Sequence, residues 1–135
     1  MPGEFYIEGK KQQETLEQLR GEEPVTGSTV ASWQLAEGEV AVIGETGKRF
    51  KIHDLTLSIH NLVGNQITIR LYKPVYGIER CCYEQIFDAG SDPPGLPVIN
   101  GTWAIHDVLR VTLESNNTAD NNKVVDYDYM LEAMS

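Results

Sequence analysis

The chain divides by the period of its apolar residues. From residue 39 onward, apolar and polar positions alternate with a period of two, the signature of half-buried strands. Strands are predicted at 39–43, 50–60, 66–75, 79–87, 105–114 and 123–131, with a short edge strand at 98–99. The clearest is 66–75, where Ile67, Ile69 and Leu71 face inward and Thr68, Arg70 and Tyr72 face outward. Leu55, Leu57 and Ile59 form the same kind of stripe in 50–60, as do Leu109, Val111 and Leu113 in 105–114. Turn chemistry separates the strands: Gly and Thr at 44–47, Asn and Gly at 61–65, Gly and Pro across 88–97, and Asn, Asp and Thr at 115–122. No helical stretch interrupts this run. The pattern predicts an all-β fold, an antiparallel β-sandwich of jelly-roll-like kind.

Residues 1–38 lack that alternation and read as an N-terminal arm, leaving 39–135 as the sandwich domain. A run of good helix formers at 10–20 predicts a short helix whose aliphatic anchors are Leu16 and Leu19. Two leucines do not hold a helix alone, so it needs something to pack on. Residues 21–34 read as loop, with Trp33 as an aromatic that needs a docking place. Phe5, Tyr6, Leu16, Leu19 and Trp33 are therefore the expected partner-binding residues. Removing residues 1–34 is expected to leave a folded monomer that no longer assembles.

Composition narrows the function classes. With 41% hydrophobic residues the chain can bury a real core. Its net charge of −9 opposes phosphate, so no nucleic-acid or anionic-membrane partner is expected. No apolar run approaches the roughly 20 residues of a membrane span, and the N-terminal residues lack a signal-peptide core. The only cysteines, Cys81 and Cys82, are adjacent, which excludes a disulfide framework. Strand alternation predicts one thiol packed inward and one outward, as free thiols of a reducing cytosol.

Candidate chemistry is sparse. Asp126 and Asp128 share one strand face roughly 6.5–7 Å apart, a spacing open to a hard cation but most simply a solvated face. Asp88, Asp92 and Asp120 lie in loops without a calcium-loop pattern. His53-Asp54 and His106-Asp107 are sequence neighbours, which point apart on a strand. No nucleophile sits in a catalytic turn, and no phosphate loop is present. The chain is therefore read as non-enzymatic, with no cofactor and no metal site. Tyr76 and Trp103 fall outside the clean alternation and offer rings that sugars stack on. They define the alternative reading, a carbohydrate-binding, lectin-like module with or without calcium.

The segments Ile67-Thr-Ile-Arg-Leu-Tyr72, Val108-Leu-Arg-Val-Thr-Leu113 and Val125-Asp-Tyr-Asp-Tyr129 resemble small β-sandwich virion proteins of tailed bacteriophages, the capsid decoration and head or tail accessory proteins. The resemblance spans residues 48–134 and carries no site residues. It implies a virion component, assembled in the host cytoplasm, that binds a capsid or other virion protein and forms homo-oligomers. Together with the arm, it sets the expectation of a structural protein that assembles through residues 1–38 and the sandwich surface.

Overall fold

The computed structural model describes residues 22–134. Seven strands occupy them: β1 (Glu22–Ala31), β2 (Gly38–Ser58), β3 (Ile67–Val75), β4 (Ile78–Phe87), β5 (Gly95–Pro97), β6 (Thr102–Ser115) and β7 (Lys123–Met134). A single 3-10 turn, Thr118–Asp120, precedes β7. Every pairing is antiparallel, in the order β1-β7-β2-β6-β3-β4, with β5 added to β2.

The long strand β2 turns this ribbon into a sandwich. From Gly38 to His53 it pairs with β6, from Arg49 to Ser58 with β7, and from Thr56 to Ser58 with β5. One half of β2 thus belongs to a layer with β6, β3 and β4, and the other half to a layer with β7, β1 and β5. Register shifts at Glu39/Ala41, Glu45/Arg49 and His53/Thr56 supply the bends. Ile43, Ile69, Leu71, Val111 and Leu113 from the first layer meet Leu55, Leu57, Leu96, Val125 and Tyr129 from the second in one core cluster. The inward stripes read from the alternation are the buried ones, and the antiparallel all-β expectation holds.

Three local expectations are corrected. The turn at 44–47 does not end a strand; Gly44 and Gly47 take φ of +97° and +84° and form a bulge inside continuous β2. The short strand expected at 98–99 lies at Gly95–Pro97, and Val98 and Ile99 are core residues just after it. The stretch 21–34 is not loop: Glu22–Ala31 is β1, paired with β7 from Glu22↔Glu132 to Ala31↔Lys123. Its polar Thr26, Ser28 and exposed Val30 face solvent, and only Val25 and Ala31 reach the core margin. That weak stripe hid the strand. The described sheet therefore includes residues 22–31, N-terminal to the boundary expected at 39.

Candidate interaction surface

Trp33 is the clearest correction to the expected partner-binding set. It is fully buried, and its Nε1–H donates to the Lys123 carbonyl at 2.7 Å. Gly38 makes this possible, because a Cβ there would run into the Trp33 ring. Trp33 pins the β1–β2 connection under its own domain and is unavailable to a partner. The other four, Phe5, Tyr6, Leu16 and Leu19, and the predicted helix lie outside the described residues.

The acidic candidates serve the fold. Asp120 is fully buried and accepts hydrogen bonds from Val63 N–H (2.8 Å), Gly64 N–H (3.0 Å) and Ser115 Oγ (2.6 Å). Asp92 accepts from Asp88 N–H at 2.7 Å, and Asp88 from Gly90 N–H at 2.8 Å, so both close their own loop. Asp126 and Asp128 do share the outer face of β7, and Asp126 accepts from Ser28 Oγ at 2.6 Å. Among the described residues no three His, Cys, Asp or Glu side chains gather as a metal site. His53 lies 2.8 Å from Thr102 Oγ1 and 2.9 Å from Glu132 Oε1, so its partners are not the neighbouring Asp54. Asp54 and Asp107 instead accept backbone N–H groups of Gly101 and Gly47. Ser58 Oγ lies 2.7 Å from His60 Nδ1 on the exposed surface. Of the two candidate sugar platforms, Tyr76 is 99% exposed. Trp103 is half-buried, edge-on to Tyr83 at 6.5 Å between ring centres, and packs on the core.

What the tertiary structure exposes is β4. Among the described residues it ends the strand order, opposite β1, and pairs only with β3. Its ten residues show no buried position; Tyr83 and Phe87 alone are half-buried. The β3–β4 ribbon also runs past its neighbour, since β3 pairs with β6 only as far as Tyr72↔Arg110. Its tip, Val75-Tyr76-Gly77-Ile78, is apolar and exposed, and Tyr76 and Gly77 take φ of +53° and +78° in a tight two-residue turn.

Both cysteines sit on this strand, and both are exposed. The expectation of one inward thiol fails because the register slips between Leu71 and Tyr72, leaving Cys82 without a partner on β3. A bulge breaks the alternation on which that expectation rested.

A charged network ties the ribbon to the body from one face. Arg70 reaches Glu84 at 3.1 Å, Glu114 at 3.2 Å and Glu37 at 3.5 Å. Arg110 grips both oxygens of Glu79, at 2.9 and 3.1 Å, and stacks over the Tyr72 ring at 4.4 Å. Glu37 accepts from Tyr72 Oη at 2.6 Å and from Thr112 Oγ1. Partial burial pushes the Glu37 carboxyl up, but the bonds from Thr112 and Tyr72 and the Arg70 charge outweigh it and hold it below the usual carboxylate range. Burial, then the bond to Glu37 and its charge, push the Tyr72 phenol up to about 12. Two of the three charged residues of β4, Glu79 and Glu84, are thus turned onto the sheet face. Charges that blunt an open edge against pairing are held away from it, leaving Arg80.

Sequence reading missed this surface, although it left a trace. Residues 78–87 place Glu79, Cys81, Tyr83 and Gln85 against Arg80, Cys82, Glu84 and Ile86, so neither face is apolar. A strand with no inward stripe is an edge strand.

Among the described residues the antiparallel strand order ends in two ten-residue edge strands, β1 and β4. No protein-family model matches the sequence, and no curated protein does. Among solved structures, the fold is similar to a chain described under "Bacillus endospore appendages form a novel family of disulfide-linked pili". The TM-score is 0.52 at 12% sequence identity, over 84% of this chain and 88% of that one. At that identity the likeness is one of fold.

Proposed function

We propose that this chain is a non-enzymatic structural subunit that associates with copies of itself. The β4 edge carries the reading: ten residues with no buried position, an exposed apolar tip and two exposed thiols on one strand that, among the described residues, is paired on one side only. An open edge offers a row of backbone donors and acceptors to another chain. When a surface of this kind meets a different surface on the next copy, the contact repeats from copy to copy, into a ring where the rotation closes and a filament where it does not. The likeness to a pilus subunit supports this form of the reading over the capsid-decoration form. The latter, with its virion location and capsid partner, rests on strand patterns alone.

Cys81 and Cys82 add a covalent lock. One disulfide between two copies takes a proton and an electron from each of two thiols; molecular oxygen or a small disulfide accepts them. The neighbouring appendage is itself described as disulfide-linked.

The test is solution mass by light scattering, with electron microscopy, over a concentration series with and without reductant. Concentration-dependent oligomers or filaments are expected, with linked species on non-reducing gels that vanish in Cys81→Ser/Cys82→Ser. A strict monomer at every concentration under oxidising conditions overturns the proposal.

A further inference from the structure

Where the end of β7 lies beside the β2 bulge, the surface holds a shallow recess of about 330 Å³. Its floor is apolar, formed by Phe50, Ala133 and Met134, and Arg49↔Met134 and Phe50↔Ala133 are paired rungs of the sheet. Its rim carries Lys48 and Arg49 against a single acid, Glu45, which lies 3.2 Å from Lys48. On a chain of net charge −9, two cations around an apolar floor favour an occupant that is both apolar and acidic.

The chain contains a segment of matching chemistry. Residues 4–8 read Glu-Phe-Tyr-Ile-Glu, three consecutive large apolar or aromatic residues between two carboxylates. The rings and the isoleucine suit the floor, and the flanking carboxylates suit Lys48 and Arg49. The attachment point suits it as well. The described chain begins at Glu22, paired with Glu132, two positions from Met134. The 13 residues between Glu8 and Glu22 span up to about 45 Å when extended, far enough to reach a neighbouring copy.

We propose that this recess receives residues 4–8 of a second copy, which inserts Phe5 and Ile7 over Phe50 and Met134. The inference rests on the self-association reading and names one of its contacts. Because recess and segment are different surfaces, each copy offers one of each, and the contact either passes on to a third copy or is exchanged reciprocally within a pair.

The experiment uses the full chain with Cys81→Ser and Cys82→Ser, so that introduced thiols are the only ones. Copies carrying Gly9→Cys are mixed with copies carrying Met134→Cys under a mild oxidant, and Asn116→Cys replaces Met134→Cys as the control site. A covalent heterodimer is expected with Met134→Cys and not with the control. In parallel, Phe5→Ser/Ile7→Ser is expected to raise the concentration needed for assembly at least about tenfold. The inference is overturned by equal cross-linking to both sites, by no heterodimer, or by a Gly9→Cys/Met134→Cys chain that closes on itself as a monomer. It is also overturned if Phe5→Ser/Ile7→Ser assembles at the wild-type concentration. Each of those failures leaves wild-type assembly intact in light scattering. Loss of wild-type assembly itself is the separate failure of the self-association reading.

Discussion

Two truncations separate the arm from the fold. Removing residues 1–34 deletes β1 and Trp33. A fully buried tryptophan replaced by nothing costs about 3–5 kcal/mol in packing. The lost Nε1–H bond to Lys123 leaves a carbonyl unpaired, at about 1 kcal/mol more. The ten-residue ladder from Glu22↔Glu132 to Ala31↔Lys123 goes as well, and β7 becomes a new open edge. Against a total stability of about 5–15 kcal/mol, this truncation is expected to leave the chain unfolded or molten. Removing residues 1–21 takes away no strand of the described sheet. That variant is expected to melt within about 4 °C of the full chain, a change of about 1 kcal/mol. It is expected to lose assembly. Trp33→Ala in the full chain is the intermediate case, melting about 12–20 °C lower. Far-UV circular dichroism melts read the fold, and light scattering reads the assembly. If the chain lacking 1–34 melts cooperatively at the temperature of the chain lacking 1–21, then neither β1 nor Trp33 holds the domain.

Asp120→Ala leaves the buried Gly64 N–H, the part-buried Val63 N–H and the Ser115 hydroxyl without their acceptor. A loss of about 3–5 kcal/mol is expected in urea unfolding, and a loss under about 1 would refute the clamp. The Glu37 and Glu79 carboxyls are held low in the folded state, Glu79 first by its bond from Arg110. Their contribution is therefore complete above the ordinary value of 4.5 and is lost as pH falls through the lower folded-state values. The Tyr72 phenol is raised, so its contribution is complete below 10 and lost as pH climbs through about 12. Urea midpoints from pH 7 down to 3 are expected to decline less steeply in Glu37→Gln than in the wild type; superimposable slopes would show that the network is not the source.

Much of the core was legible in the sequence. Ile67, Ile69 and Leu71, like Leu109, Val111 and Leu113, declare their burial because a strand alternates its side chains and one face must be apolar. The absence of helix from residue 39 onward and the turn chemistry between stripes settled the class. The interaction surface was less legible. β4 is defined by what does not cover it, and coverage depends on which strand ends the order, which no local pattern encodes. Cys81 and Cys82 became a pair of exposed thiols because of a one-residue slip against β3. Glu37, Arg70, Tyr72, Thr112 and Arg110 form one network although Glu37 and Thr112 lie 75 positions apart in sequence, because β3, β6 and the loop before β2 bring them to one face.

The sequence by itself determined the chemistry of each strand face, because side-chain period and burial are local properties of an extended chain. It also determined the acidic charge and the polar N-terminal segment. Only the tertiary structure decided that residues 22–31 belong to the sheet. Residues 22–31 carry too weak a stripe to announce a strand, and they become one because β7 offers a free ladder and Trp33 finds a cavity in the core. The same holds for the open edge, since a backbone hydrogen bond left unmade is a fact about neighbours, and neighbours in a sandwich come from distant parts of the chain.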